Sequence, residues 1–287
     1  MTSVTLPAYA KVNLYLDVVG KRPDGYHELV TLFERIDLAD EITIEVLAAD
    51  RIEVCCDHPD VPLDETNLVV RAAQAYRQVA GWRGGFRITL KKRIPVAGGL
   101  GGGSSDAAST LLGLQKLTSA GLPEREILRL GSGLGADVPF FLAQVPWALG
   151  RGRGDELEPL TLPARLWHLL VAPGFPIPTQ AVYRAFSLTA VGPDVKLLFC
   201  ALRDNYVPKI RDLLFNTLEP TVEALYPAIR HVKEMIQNTA GIARPLVSGS
   251  GSTVIAVCSS REEAEAAAES LRRREPGWGV TVASTGV

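Results

Sequence analysis

A glycine-rich segment at residues 95–106, PVAGGLGGGSSD, constrains the fold more than any other part of this chain. Its five glycines permit backbone conformations with positive φ and let a ligand approach the main chain closely. Alternating Phe86, Ile88 and Leu90 predict a strand before the segment, and an alanine- and leucine-rich run predicts a helix after it. A helix that begins after such a loop directs amides and the positive end of its dipole at an anion. The segment therefore predicts a phosphate-binding loop, with Ser104 or Ser105 capping the following helix.

The segment matches neither of the two common phosphate-binding templates. A Walker A loop requires lysine where Gly103 stands, and a dinucleotide-binding loop requires a third glycine where Ser104 stands. A flexible glycine-rich linker is the alternative, but the regularly patterned apolar flanks favour an ordered loop. The sequence thus indicates a nucleotide phosphate loop of another kind.

Composition excludes several classes of protein. With 287 residues, of which 47% are hydrophobic, the chain can form two modest domains with real cores. A net charge of −2 with mixed signs gives no electrostatic case for nucleic-acid or membrane binding, so the expected partner is a small-molecule substrate. A secretory signal and a transmembrane-length apolar run are both missing from the sequence, and we expect a cytoplasmic protein. The four cysteines match no zinc or redox spacing and are expected to be reduced structural thiols.

Strands and helices are predicted along the whole chain. Residues 11–18 have the alternation of a strand, with Lys11 and Asn13 on its polar face, and a turn at Pro-Asp-Gly follows. The further predicted strands are 28–36, 41–47, 168–171 and 253–258. The predicted helices are 67–80, 125–134, a short helix from Asp137, 180–186, 195–202, 221–237 and 261–273.

The region 146–164 is rich in glycine, proline and charged residues, and it is predicted to be an exposed hairpin and linker. With mixed strands and helices on both sides of it, the sequence predicts an α+β protein of two domains, 1–160 and 161–287.

Four segments, taken together and in this order, resemble one enzyme family. They are PAYAKVNLYL with DGYHE, PVAGGLGGGSSDAA, LGADVPFFL and SGSGST. They are similar to segments of the bacterial 4-diphosphocytidyl-2-C-methyl-D-erythritol kinases, within the superfamily of galactokinase, homoserine kinase, mevalonate kinase and phosphomevalonate kinase. The resemblance covers nearly the whole chain, and only residues 147–155 depart from the usual pattern.

The resemblance implies a two-domain small-molecule kinase fold with the active site in the interdomain cleft. It also implies ATP as phosphoryl donor, Mg²⁺ as its counterion, and transfer to the 2-hydroxyl of 4-diphosphocytidyl-2-C-methyl-D-erythritol in non-mevalonate isoprenoid precursor synthesis. No metal ligand can be assigned from the sequence.

Asp137 and Lys11 are the catalytic candidates. A kinase that acts on an alcohol needs a carboxylate near the attacking hydroxyl. An ammonium beside Asp137 would keep that carboxylate ionised, and the resemblance places Lys11 in this role. The structural alternatives are a helix N-cap for Asp137 and a solvated strand lysine for Lys11.

The resemblance assigns the ATP-binding residues to the glycine loop, with adenosine-side contacts from Asn67 and Lys92. A helix N-cap and a surface charge are the respective alternatives for these two. The loop residues are Val96, Ala97, Gly98, Gly99, Leu100, Gly101, Gly102, Gly103, Ser104, Ser105 and Asp106.

The resemblance implies that the acceptor substrate is held by Tyr26, His27 and Tyr183, with polar contacts from Asn13 and Thr179. Aromatic faces and a histidine suit a cytosine ring. Packing roles for the aromatic residues, and a plain β-turn for SGSGST, are the alternatives.

Two rival functions remain open at this point. A sister kinase for homoserine or a mevalonate-type alcohol would share the glycine loop, and a nucleotide sensor on the same fold would bind ATP without turnover.

Overall fold

The computed structural model describes residues 2–118, 120–188, 192–240 and 242–286. The chain forms two compact units that interleave along the sequence. Unit 1 consists of Met1–Ala10, Leu38–Val96 and Gly101–Val145, and unit 2 consists of Lys11–Asp37, Ala97–Leu100 and Pro146–Val287. The predicted single division after residue 160 stays a prediction.

Strands β1 (Ser3–Lys21) and β2 (His27–Leu47) contribute residues to both units. The other elements of unit 1 are β3 (Ile52–Cys56), α1 (Leu68–Ala80), β4 (Gly85–Lys91), α2 (Gly102–Thr118), α3 (Glu124–Leu134) and α4 (Val138–Leu142). The sheet pairs β2 antiparallel with β4, from Glu41 opposite Lys91 to Leu47 opposite Gly85, and β3 runs parallel to β4. Helix α2 packs against this sheet, because a Cβ at Gly113 would lie only 2.7 Å from the Ile44 side chain.

Unit 2 contains the remaining elements of the chain. These are β5 (Trp147–Arg151), β6 (Glu156–Pro159), β7 (Trp167–Ala172), α5 (Thr179–Ala185), α6 (Val195–Arg203), α7 (Val207–Leu213), β8 (Phe215–Asn216), α8 (Glu219–Leu225), α9 (Ala228–Ala240), β9 (Leu246–Val247), β10 (Val254–Cys258), α10 (Arg261–Arg274) and β11 (Gly279–Ser284). Strand β5 pairs with β2 and β6, β8 pairs with β1, and a second sheet has the order β11-β7-β10-β9. Apolar residues of β1, β7, β10 and the surrounding helices form one buried core.

Local sequence signals explain several of these boundaries. In α1 the Asn67 side chain accepts a hydrogen bond from Val69 N, and Gly81 ends the helix in the left-handed conformation at φ 62°. The predicted helix at 67–80 is confirmed, as are the β1 strand, the turn before His27, and the helix near 125–134.

Four local predictions are wrong. Residues 28–36 and 41–47 belong to one strand, because β2 continues through the polar residues between them. There the Asp37 carboxylate accepts hydrogen bonds from Ser284, and the buried Asp40 carboxylate accepts one from Arg93 N. The predicted helix at 221–237 is two helices, since the proline ring at 227 disfavours helical backbone at Tyr226, whose φ is −131°.

Helix α2 begins at Gly102, so Ser104 and Ser105 lie within it and do not cap it. The predicted hairpin at 146–164 is present, but its first strand is buried rather than exposed, because β5 pairs with residues 31–34 of β2.

Two further properties follow from the described residues. Among them, no helix has the length and apolar character needed to cross a membrane. All four cysteines are free thiols; Cys258 is buried as expected of a structural thiol, whereas Cys55 and Cys200 are exposed.

Candidate active site

The glycine loop is an ordered connection from β4 to α2. Ala97, Gly99 and Gly101 all adopt positive φ, at 53°, 78° and 73°. A Cβ at Gly99 would stand 2.2 Å from the backbone oxygen of Ser248, so backbone conformation and close packing both require glycine there. The alternative of a flexible linker is wrong. The first-turn amides of α2 follow directly, as a phosphate site requires.

Lys11 is buried inside unit 2 and bound to the glycine loop. Its ammonium donates to Gly99 O at 3.1 Å and to Asn13 Oδ1 at 2.6 Å, and its backbone N–H donates to Leu100 O at 3.0 Å. It lies 5.7 Å from the centre of the Phe33 ring, within range of a cation–π contact. Only 4% of the residue is exposed, so the solvated-lysine alternative is wrong.

The SGSGST segment also packs on the glycine loop within unit 2. Gly251 N donates to Ser248 O at 2.9 Å, which makes the segment a β-turn. Ser248 Oγ donates to Gly99 O at 3.1 Å, and Thr253 N donates to Gly98 O at 3.1 Å. The segment is therefore a β-turn, which confirms that alternative, and it is hydrogen-bonded to the glycine loop. Thr179 Oγ1 and Ser250 Oγ share a hydrogen bond of 2.8 Å, which ties α5 to the same turn.

Asp137 stands immediately before α4 in unit 1, with Pro139 in the first turn as expected. It occupies the N-cap position, yet its backbone is already helical (φ −83°, ψ −14°) and its carboxylate makes no capping hydrogen bond to this helix. The helix-cap alternative is therefore wrong. The loop that carries Asp137 meets the start of α2, because Ser104 Oγ lies 3.8 Å from the position of a Cβ on Gly135.

Lys92, Asp40 and Asp106 form a buried ionic cluster in unit 1, which we call the Asp40–Lys92–Asp106 cluster. The Lys92 ammonium donates to both carboxylates, at 2.7 Å for Asp106 Oδ2, and all three side chains are at most 5% exposed. Asp40 Oδ1 also accepts from the backbone N–H groups of Arg93 (2.6 Å) and Ile94 (2.9 Å), which lead into the glycine loop. The surface-charge alternative for Lys92 is wrong.

The cluster carries one more carboxylate than ammonium, and this shifts its ionisation. Burial and the neighbouring Asp40 raise the pKa of Asp106 to about 7, although Lys92 acts in the opposite direction. Burial alone would lower the pKa of Lys92, but the two carboxylates outweigh it and raise that pKa. Asp106 Oδ1 has no hydrogen-bond donor among the described residues.

The acceptor-site candidates His27 and Tyr183 are neighbours in unit 2. Their ring centres are 5.0 Å apart, and Phe186 packs edge-on against His27 at 6.0 Å. Burial and the nearby Lys21 lower the pKa of His27, which favours the neutral imidazole. Tyr26 is 57% exposed, and the guanidinium of Arg153 lies 5.1 Å from the centre of its ring.

The structure groups most candidates into two sets. Unit 2 holds Lys11, Asn13, the loop residues Ala97–Leu100 and all of the acceptor-site candidates, whereas unit 1 holds Asp137, Val96, Asn67, Lys92 and the start of α2. The pairing of Lys11 with Asp137 therefore stays a prediction. Asn67 is the N-cap of α1, which confirms its structural alternative without testing a contact to nucleotide.

Sequence reasoning missed Thr31 and Asp40. Thr31 is 1% exposed and accepts from Asn13 Nδ2 at 2.8 Å. Asp40 directly precedes Glu41, which lies opposite Lys91 in the antiparallel pair of β2 and β4. Knowledge of this register would have placed Asp40 beside Lys92. Within the described residues, no group of three or more His, Cys, Asp or Glu side chains could hold a metal ion.

Comparison with known proteins adds independent findings. Residues 67–144 match the family described as GHMP kinases N terminal domain, and residues 201–277 match GHMP kinases C terminal. The chain is 41% identical over 280 residues to the 4-diphosphocytidyl-2-C-methyl-D-erythritol kinase of Citrifermentans bemidjiense, covering 97% of each protein.

Solved structures agree with this result. A crystal structure of 4-(cytidine 5'-diphospho)-2C-methyl-D-erythritol kinase is 38% identical, with a TM-score of 0.83 over 99% of this chain and 100% of that one. The homoserine kinase from Cytophaga hutchinsonii has a TM-score of 0.75 at 19% identity, covering 100% of this chain and 95% of that one, a likeness of fold alone. The expected two-domain fold with mixed helices and strands is thereby confirmed.

Proposed function

This chain belongs to the 4-diphosphocytidyl-2-C-methyl-D-erythritol kinases of the GHMP kinase family, and from that membership we propose its substrate and the roles of its site residues. The reaction is transfer of the γ-phosphoryl group of ATP to the 2-hydroxyl of 4-diphosphocytidyl-2-C-methyl-D-erythritol, in non-mevalonate isoprenoid precursor synthesis. We assign this activity to the cytoplasm.

The observation that carries the proposal is the bond between Lys11 and Gly99. These residues lie 88 positions apart, yet the Lys11 ammonium donates to the Gly99 carbonyl of the glycine loop. Burying an ammonium costs free energy unless it is paired and hydrogen-bonded, so a buried lysine is expected where it serves a purpose that a solvated lysine cannot fulfil. A fixed positive charge at a phosphate loop has such a purpose, because phosphoryl transfer is accelerated mainly by positioning and charge stabilisation.

Asp137 is the proposed general base, and Lys11 assists it. The acceptor hydroxyl loses its proton as it attacks the γ-phosphorus, and the Asp137 carboxylate receives that proton. Lys11 stabilises negative charge on the reacting oxygens and keeps the base ionised. Asp137 stands immediately before α4 without capping that helix, so a structural capping role does not account for its carboxylate. Transfer is direct and in line, without a phosphoenzyme.

The glycine loop and the first turn of α2 are the proposed seat of the ATP phosphates. The backbone amides and the helix dipole supply positive potential there, with Ser104 and Ser105 as hydroxyl donors. Mg²⁺ bound together with the nucleotide would neutralise negative charge on the phosphates. Mg²⁺ commonly keeps several waters and takes only one or two protein ligands beside the phosphates.

The paired rings of His27 and Tyr183 are the proposed site for the cytosine base. A neutral imidazole offers one donor and one acceptor to the edge of the base, and the aromatic faces offer stacking surface. Tyr26, Asn13 and Thr179 complete the proposed acceptor site.

The test is ADP release with the cytidyl substrate, compared between the wild type and Asp137→Asn. We expect kcat to fall by about 10²- to 10⁴-fold with little change in the KM for ATP. Asp194→Asn is the matched control, because Asp194 is an N-cap aspartate whose side chain does accept from Lys196 N. Near-normal turnover of Asp137→Asn would refute the assignment of the base, and turnover of homoserine or mevalonate in place of the cytidyl substrate would refute the assigned substrate.

A further inference from the structure

Three buried polar side chains form a hydrogen-bonded series that ends at the Lys11 ammonium. Thr31 Oγ1 donates to Tyr15 O at 2.8 Å, Asn13 Nδ2 donates to Thr31 Oγ1 at 2.8 Å, and Lys11 Nζ donates to Asn13 Oδ1 at 2.6 Å. Lys11, Asn13 and Thr31 are 4%, 2% and 1% exposed. All of these residues belong to unit 2.

The chemistry of the donors gives this series a direction. A threonine hydroxyl has one proton, and that proton is committed to the Tyr15 carbonyl, so the oxygen faces Asn13 as an acceptor. The amide of Asn13 must therefore turn its NH₂ group toward Thr31. Its oxygen then faces Lys11, which is a donor only.

We propose that Thr31 is a positioning residue for catalysis, which fixes the amide orientation of Asn13 and thereby the location of the Lys11 ammonium. This inference rests on the proposed role of Lys11. Without the Thr31 acceptor, a buried NH₂ group loses its partner. Asn13 then loses one of the two side-chain hydrogen bonds that hold its amide in place, so its Oδ1 is no longer fixed and the Lys11 ammonium shifts with it away from the Gly99 carbonyl.

The test compares Thr31→Val with Thr31→Ser. Valine preserves the branched shape and deletes only the hydroxyl, whereas serine keeps the hydroxyl. We expect Thr31→Val to lower kcat about tenfold, as loss of one buried hydrogen bond would, with the KM values for ATP and acceptor changing less than about threefold. Thr31→Ser should keep kcat near the wild-type value.

The double variant Lys11→Ala/Thr31→Val distinguishes positioning from general damage to the fold. If Thr31 acts through Lys11, the valine substitution causes no further loss of kcat in the Lys11→Ala background. An equal loss in both backgrounds, or a comparable loss in Thr31→Ser, overturns the inference. If Lys11→Ala itself retains wild-type kcat, the proposed role of Lys11 fails first and the inference fails with it.

Thr110→Val is the matched control for burial. Thr110 is fully buried, and its hydroxyl donates to Asp106 O within α2. Thr110→Val therefore deletes the same buried hydroxyl at a position outside the hydrogen-bonded series. Unchanged kcat is expected for this variant. Should Thr31→Val fail to fold, Thr31→Cys places a weak hydrogen-bonding thiol at the same position. That variant must show the same non-additive loss, and full activity in it contradicts the inference.

Discussion

Replacing Asp106 with asparagine is expected to stabilise the protein at alkaline pH. The Asp40–Lys92–Asp106 cluster buries two carboxylates against one ammonium, and Asp106 Oδ1 faces no donor among the described residues. Asparagine removes the surplus negative charge without changing the shape of the side chain. Its oxygen can accept from Lys92, and its NH₂ group can donate to Asp40, whose carboxylate is bound to the same ammonium.

The size of the effect follows from the ionisation of Asp106. Burial and Asp40 raise its pKa from 3.8 to about 7. Because one pKa unit corresponds to about 1.4 kcal/mol, the cost of ionising Asp106 in the folded protein is at most about 4 kcal/mol. A neutral amide forms a weaker hydrogen bond to Lys92 than a carboxylate, which offsets about 1–2 kcal/mol. We therefore expect a net gain of about 1–3 kcal/mol in the free energy of unfolding at pH 8.5.

Urea unfolding of the wild type and Asp106→Asn between pH 4 and pH 8.5 measures this gain. Since the folded-state pKa of Asp106 is raised, its contribution is fully present below about pH 4 and is lost as the pH rises through about 7. Asparagine does not titrate, so the difference between the two proteins should be near zero at pH 4 and largest above pH 7.

Lys92→Met is the control of opposite sign. It leaves two buried carboxylates without their ammonium, and it should lower the free energy of unfolding by about 3–5 kcal/mol at pH 8.5 and by less at pH 5. If Asp106→Asn is instead less stable than the wild type at pH 8.5, ionised Asp106 is a net stabilising partner of Lys92 and the reasoning is refuted.

Three further outcomes are expected. Gly99→Ala should lower the free energy of unfolding by about 3 kcal/mol, because alanine at φ 78° is strained and its Cβ meets Ser248 O; denaturant midpoints within error of the wild type would contradict this. His27→Ala should raise the KM for the cytidyl substrate about tenfold and leave the KM for ATP within about twofold, whereas equal changes in both would argue for a packing role. Asn67→Ala should cost about 1 kcal/mol in thermal unfolding, because Val69 N loses its acceptor, and an unchanged melting temperature would count against the capping role.

Local signals predicted much of the fold. The alternation in β1, the Asn67 and Gly81 caps of α1, and the glycine loop before α2 each depend on neighbouring residues, and each is confirmed. The same local signals led to errors where two nearby residues could each begin a helix. Ser104 and Ser105 are good caps, but the glycines before them already start the helix.

The environment of the site residues could not be predicted in the same way. A lysine on the polar face of a strand is ordinarily solvated, and only the contacts with Asn13 and Gly99 show why Lys11 is buried. The Asp40–Lys92–Asp106 cluster likewise depends on the register between β2 and β4, which neither strand determines alone. Motifs identified the candidate residues, and long-range pairing determined their partners.

The interleaving of the two units has a consequence for synthesis on the ribosome. Every residue of unit 1 has been translated once Val145 is added, whereas unit 2 combines Lys11–Asp37 with Pro146–Val287. More than a hundred further residues are therefore added after Lys11–Asp37 before β5 and β8, the strands with which this segment pairs, have been synthesised. Because translation proceeds at about 5–20 residues per second, the apolar side chains of Leu16, Val18 and Leu29 lack the later residues of their shared core for several seconds. During that interval we expect the nascent chain to bind chaperones that recognise short apolar segments.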